Sequence, residues 1–198
     1  ATGSYLEQPR PPGIASFTQA RHRLSAKNNG CIIFLTKTAS LDHIMVLLEE
    51  HMLEFISHSA EQTQRLGARL GTLLQAGDVI CLQGPLGSGK TCLTQGIGRG
   101  WGAQQQLVSP SFVLVREYTR PEDEQKLFHV DLYRISDAEE AWRLGVDEFL
   151  GSDFAVSVIE WAERAESLIP DGHLWIRLGF VEPAGPTRRH LWFSAHGQ

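Results

Sequence analysis

Gly84-Pro85-Leu86-Gly87-Ser88-Gly89-Lys90-Thr91 meets the pattern G-x-x-x-x-G-K-[ST] at every fixed position. The spacing has a chemical reason. Glycines let the backbone bend where a side chain would forbid it, and they bring amide N–H groups up to a phosphate chain. Lys90 then offers a compact positive charge to β- and γ-phosphates, and the Thr91 hydroxyl is a ligand for Mg²⁺. Such a loop also needs an acid to hold the metal directly or through water. Two acids end apolar runs, Asp131 after Lys126-Leu127-Phe128-His129-Val130 and Glu160 after Ala155-Val156-Ser157-Val158-Ile159. Glu160 closes its run in the manner of a Walker B acid, with Glu where Asp is commoner.

These residues need elements to carry them. Val79-Ile80-Cys81-Leu82-Gln83 reads as a short buried strand feeding the loop, and Lys90 to Ile97 starts a helix whose N-terminal dipole faces the anion. A glycine-rich turn ending by chance in Gly-Lys-Thr would lack both neighbours. In a doubly wound sheet the two acids stand beside the loop at the carboxyl edge, whereas elsewhere they would be solvated strand ends. Strand alternation places His129 and Asp131 on one face. The bland reading of His129 is a packed or hydrogen-bonded histidine, and that of Trp161, next to Glu160, is a core residue. Ser109-Pro110-Ser111 reads either as an ordinary turn or as a switch loop whose hydroxyl senses a γ-phosphate.

The remaining elements follow in order. Leu53 to Ile56 is an edge strand, and Ser59 with Gln62 forms a capping box for a helix carrying Leu66, Leu70, Leu73 and Leu74 on one face. Gly67 and Gly71 weaken that helix, so it must pack closely against something. Gly77 closes it. Gly98, Gly100 and Gly102 bracket Trp101 in a turn, and the segment from Val108 to Val115 begins as a loop and becomes a strand. Thr119 to Gln125 is a hairpin connection. Ser136 and Glu139 form a second capping box, opening a helix through Leu144. Leu174 to Phe180 and His190 to Ala195 are the final strands.

Length and composition set outer bounds. A chain of 198 residues, 42% hydrophobic and 21% charged, fits one globular domain. No apolar run approaches the roughly 18 residues that span a bilayer, so no membrane association is expected. The net charge of −5 divides into +3 over residues 1–44 and −8 over the rest. An acidic body argues against a broad surface for gripping nucleic acid. Cys31, Cys81 and Cys92 make neither a disulfide framework nor a metal pair, which suits a reducing, cytoplasmic setting. Residues 1–44, Pro-rich at the start and basic, read as a disordered or dispensable extension with Met45 or Met52 as the natural start. A targeting peptide shares that composition. Residues 45–198 then form the P-loop domain. No Asn-Lys-x-Asp guanine signature occurs, which disfavours a GTPase.

Gly84 to Thr91, Ser109-Pro110-Ser111-Phe112, His129-Val130-Asp131-Leu132-Tyr133-Arg134 and Ile159-Glu160-Trp161 resemble, in order and spacing, the bacterial TsaE (YjeE) family, from about Phe55 onward. The resemblance implies an α/β fold, a single P-loop NTPase-like domain with a central mixed sheet flanked by helices. It implies a weak Mg²⁺-dependent ATPase needed for N6-threonylcarbamoyladenosine at position 37 of tRNA, working with the TsaD–TsaB complex and reaching tRNA through it. The roles carry over by match. Gly84, Gly87, Ser88, Gly89, Lys90, Thr91 and Cys92 would bind the phosphates of ATP, and Thr91 and Glu160 would ligand Mg²⁺. Asp131 would act near the γ-phosphate with Lys90 and Ser111. Ser88, Cys92 and Ser111 stand for the family's usual Ala, Thr and Thr. Residues around Gln62 and Thr63 would approach the adenine.

Two alternatives stand beside this reading, a small P-loop kinase and a nucleotide-gated binding module. A kinase needs a lid with arginines, and the arginine pairs here are Arg21/Arg23 and Arg188/Arg189. Turnover with and without protein partners separates the module from the ATPase. Removing residues 1–44 is expected to leave ATP binding intact and to move Tm by less than about 5 °C. A larger fall in a melting scan of the truncated chain would mean that the segment packs on the domain.

Overall fold

Val79 to Leu82 carries no polar side chain, and only a strand covered on both faces can use such a run. The computed structural model, which describes residues 53–110, 113–181 and 187–196, places it at the centre of a mixed sheet. Residues 1–44 and Ser111 lie outside the described residues. The described elements are β1 (Leu53–Ser57), α1 (Ala60–Gly71), β2 (Val79–Gln83), α2 (Lys90–Trp101), β3 (Val115–Thr119), β4 (Lys126–Asp131), α3 (Ala138–Arg143), β5 (Ala155–Glu160), β6 (His173–Phe180) and β7 (Arg189–His196). Short 3₁₀ turns at Val146–Phe149, Ala162–Arg164 and Glu166–Leu168 fill the α3 side.

The described strands form one seven-stranded sheet in the order β1-β7-β6-β2-β5-β4-β3. Strands β6, β2, β5 and β4 run parallel, while β1, β7 and β3 add antiparallel edges. Alternation along β2 splits the core. Ile80 and Leu82 pack with α1, α2 and residues such as Leu93, Ile97 and Trp101, while Val79 and Cys81 pack with Val130, Ile159, Ala141 and the 3₁₀ turns.

Helices α1 and α2 approach until backbone meets backbone. A Cβ added at Gly67 would overlap the Leu93 carbonyl oxygen, one at Gly71 that of Ile97, one at Gly96 that of Gln64 and one at Gly100 that of Ala68. This is the close packing that Gly67 and Gly71 called for. It also corrects the turn expected at Gly98 to Gly102, because α2 runs on through Trp101. Gly98 and Gly100 are there for contact with Leu107 and Ala68, not for a bend. Ending α1 falls to Thr72, earlier than Gly77, and Leu73 and Leu74 are buried in the turn that follows.

Other boundaries shift by one register. Helix α3 is capped by Asp137, whose carboxylate accepts the Glu140 N–H at 2.9 Å, while the Ser136 N–H donates to Glu140 Oε2 at 2.7 Å. The capping box is real but starts one residue after Ser136, which lets Ala141 face the core. At α1 the expected cap holds, with the Gln62 N–H on Ser59 Oγ at 3.1 Å. Strand β3 begins only at Val115, because Leu114 turns at φ 66° and the Val113 N–H bonds back to Pro110.

Gly100→Ala is expected to lose about 1–3 kcal/mol through overpacking, read as a fall in Tm of several degrees. Helix propensity alone would favour alanine by about 1 kcal/mol, so the sign isolates the packing. Gly98→Ala, which meets only the Leu107 side chain, should cost less, and Gly172→Ala, with nothing within 4 Å, should be near neutral. Equal melting of all three variants would contradict the backbone contact.

Candidate nucleotide-binding site

Parallel register gathers the site. Glu160 of β5 pairs with Leu82 of β2 on one side and Asp131 of β4 on the other. Both acids therefore reach the carboxyl edge where β2 enters the loop. Gly84 sits against the Leu178 carbonyl of β6, where a Cβ could not fit, and Gly89 turns at φ 103° into α2. The first-turn amides of α2 have no partner within the helix and are available to an anion. Ser88, with Gly87 beside it, is wholly buried in the bend.

Lys90 is buried, and its Nζ donates to the Gly84 carbonyl at 2.6 Å and the Pro85 carbonyl at 3.1 Å. The ammonium also lies 3.7 Å from the centroid of the Trp161 ring. Trp161 is thus half-buried, packed against the α3-side core as well as over the ammonium. Tyr133 packs against it at 5.1 Å between ring centroids, and the Arg164 guanidinium stands 5.4 Å away.

Glu160 is only 2% exposed and is met from three sides. The Thr91 hydroxyl donates to Oε2 at 2.9 Å, and His129 Nε2 lies 2.9 Å from Oε1. The Thr94 hydroxyl lies 3.3 Å from Oε1 and 3.0 Å from the Lys90 carbonyl. Asp131, also buried, accepts the Ser109 hydroxyl at 2.7 Å and the Tyr133 N–H at 3.0 Å. Ser109 thus brings a hydroxyl of the expected Ser109–Ser111 loop to Asp131, while Ser111 lies outside the described residues. Thr91 Oγ1 and Glu160 Oε2 are hard oxygens side by side, a donor pair that suits Mg²⁺ taking its other ligands from phosphate and water.

Cys92 faces α1, its thiol donating to the Ala60 carbonyl at 3.3 Å. Thr63 is buried one turn further, its hydroxyl 2.7 Å from Ser57 Oγ and 3.3 Å from the Ser59 carbonyl. The start of α1 thus lies against the start of α2, with Thr63 facing inward.

Three neighbours escape a reading by motif. Thr94 follows Lys90 by one helical turn, a spacing that points to it once Glu160 is placed. Arg189 Nη2 donates to the Gly87 carbonyl at 3.0 Å, and its guanidinium lies 4.6 Å from the Phe180 ring centroid. It belongs to an arginine pair visible in the sequence, but only the β6–β7 register brings it to the loop. Glu163 lies within the 3₁₀ turn Ala162–Arg164, whose spacing carries no signal. Burial pushes its carboxyl up, while its own N–H, the Lys90 ammonium, the Arg164 guanidinium and the Gly84 N–H pull it back. Burial likewise pushes the Cys92 thiol up against the opposing charges of Arg189 and Arg99.

A family model for threonylcarbamoyl adenosine biosynthesis protein TsaE matches residues 57–189. The tRNA threonylcarbamoyladenosine biosynthesis protein TsaE of Treponema pallidum is 38% identical over 123 residues, 62% of this chain and 88% of that protein. The proteins of the same name from Streptomyces coelicolor and Bacillus subtilis are 39% and 34% identical, covering 68% and 69% of this chain and 91% and 82% of theirs. The crystal structure of YdiB from Bacillus subtilis superposes with a TM-score of 0.60 at 28% identity, covering 74% of this chain and 87% of that one.

Burial holds the Lys90 ammonium below its usual range, and Glu160, Glu163 and Asp131 draw it back only in part. Its charge therefore costs the fold stability. The cost is full where folded and unfolded chains both hold the proton, and it is relieved as pH rises through the lowered folded value toward the ordinary 10.5. Lys90→Met should melt no lower than the parent at pH 7, with any advantage shrinking in alkaline buffer. A clearly lower Tm at pH 7 would mean that the contacts to Gly84, Pro85 and Trp161 outweigh burial.

Proposed function

The chain belongs to the TsaE family of threonylcarbamoyl adenosine biosynthesis proteins, and from that premise we propose that it is a Mg²⁺-dependent ATPase of low intrinsic turnover. In this reading it supports N6-threonylcarbamoyladenosine formation at position 37 of tRNA together with a TsaD–TsaB type complex, in the cytoplasm. The observation that carries the reading is the convergence of Lys90, Thr91, Glu160 and Asp131 at one end of the β2–α2 loop.

Lys90 and the first amides of α2 orient the phosphate chain of ATP. Thr91 and Glu160 would hold the metal, whose chemistry would be to neutralise phosphate charge. Asp131 orients the attacking water and takes up its proton, with Ser109 fixing the carboxylate through Oδ2. The aromatic face of Trp161 keeps water from one side of the ammonium. With −8 over residues 45–198, the chain reaches tRNA through its protein partners and not by gripping phosphates itself. Among the described residues no helix is long and apolar enough to cross a membrane.

The test measures ATP turnover of the purified chain alone, with a TsaD–TsaB pair, and with the pair plus tRNA. Slow turnover alone and a rise with the pair are expected, whereas turnover indifferent to the pair counts against the partnership. Lys90→Ala should abolish calorimetric ATP binding. Glu160→Ala should lose the Mg²⁺-dependent part of the affinity. Asp131→Asn should bind nearly as the parent does and lose about 10²–10⁴ in turnover. Matched losses of Mg²⁺-ATP affinity in the two acid variants would refute their separate roles.

A further inference from the structure

The carboxylate of Glu160 is divided between two tasks. Oε2 faces the hydroxyl of Thr91, the partner proposed for the metal, at 2.9 Å. Oε1 faces the interior, where His129 Nε2 stands 2.9 Å away and Thr94 Oγ1 3.3 Å. The Thr94 hydroxyl has one proton and a nearer acceptor in the Lys90 carbonyl at 3.0 Å. The imidazole is therefore the donor that holds Oε1.

His129 is suited to hold it. The ring is wholly buried, and Nδ1 has no hydrogen-bond partner among the described residues. A proton on Nε2 leaves Nδ1 a bare lone pair. The other tautomer would bury an unpaired N–H at Nδ1 and set a lone pair against the carboxylate, which costs more. The backbone beneath is fixed on both sides, since His129 pairs with Val158 of β5 and Arg116 of β3. Ring, strand and carboxylate thus share one rigid frame.

We propose that His129 is the positioning residue that makes Glu160 a one-oxygen ligand, and so sets the site's preference for Mg²⁺ over Ca²⁺. A small octahedral cation takes one carboxylate oxygen and keeps phosphate and water around it, whereas Ca²⁺ commonly takes both oxygens of a carboxylate. With Oε1 bound to the imidazole, only Oε2 is offered. Partners of this kind govern ligand orientation, and removing them costs about 10–100-fold in metal affinity. The proposal rests on the assignment of Thr91 and Glu160 as metal ligands.

The experiment titrates Mg²⁺ and Ca²⁺ against a fluorescent ATP analogue bound to the full chain, with a parallel binding curve in EDTA. His129→Leu is expected to keep the EDTA affinity, to raise the half-saturating Mg²⁺ about 10-fold or more, and to narrow the Mg²⁺/Ca²⁺ difference. His129→Gln, whose amide can donate from near the Nε2 position, should restore the parent curve, and His129→Asn, too short to reach Oε1, should not. If the leucine variant fails to fold, the contrast between Gln and Asn decides. Equal losses with metal and with EDTA would assign a structural role only, and unchanged Mg²⁺ curves in the Leu or Asn variant would overturn the proposal. Wild-type affinity indifferent to Mg²⁺ would instead sink the metal-ligand assignment itself.

Discussion

A carboxylate taken out of water is tolerated only where donors meet it, and the loop end of this sheet is built around meeting Glu160. Its donors come from two elements, Thr91 from α2 and His129 from β4, with Thr94 of α2 beside them, while Glu160 itself ends a third, β5. None of these residues is near another in sequence except the two threonines. The arrangement therefore requires the parallel register of β2, β5 and β4, and a one-residue slip of β5 would turn the carboxylate to the opposite face. The apolar runs that specify that register also specify the chemistry, because Ile159 and Glu160 cannot exchange faces without burying the charge in the α3-side core.

Helix α2 must enter this frame at a fixed depth and angle, since its first turn carries Lys90 and Thr91. Its packing on α1 supplies that constraint. The glycine contacts leave no slack for α2 to slide, because each facing atom is backbone and not the end of a flexible side chain. At the other end of the contact, Cys92 bonds to Ala60, and Thr63 and Ser57 tie α1 to β1. The edge strand is thus linked to the phosphate loop through two turns of helix.

What was legible in the sequence was local. The loop, the strand before it and the helix after it are consecutive, and both acids close apolar runs whose length gives them away. The edge position of β1 and the hairpin between β3 and β4 were equally readable, as was the need for close packing at Gly67 and Gly71. The misreadings have a common cause. Gly98 and Gly100 look like turn residues because a contact with Ala68 and Leu107 leaves no trace in the neighbouring sequence. Ser136 and Asp137 offer two overlapping caps, and burial of Ala141 chooses between them. Thr94, Glu163 and Arg189 reach the site through helix phase, a 3₁₀ turn and an antiparallel register respectively, all of which require the assembled fold. Ser111 falls outside the described residues, so its expected role stands on the sequence.

Backbone strain completes the account. Three described residues other than glycine have positive φ, and two of them, Leu114 at 66° and Trp161 at 61°, touch the acid-bearing strand ends. The third, Glu124, lies in the β3–β4 hairpin. A left-handed residue other than glycine costs on the order of 1–2 kcal/mol, so each must be held by its surroundings. Asp131 donates its N–H to the Leu114 carbonyl at 3.0 Å, and Trp161 donates its N–H to the Leu82 carbonyl at 2.9 Å. At Trp161 the consequence is specific. The chain must leave the sheet immediately after Glu160 for the indole to fold back over Lys90. A gentler exit would carry the ring past the ammonium and open the lysine to water. The strain is thus concentrated where the carboxylate, the ammonium and the aromatic face are brought together, and the hydrogen bond to Leu82 ties that bend to the strand that feeds the phosphate loop.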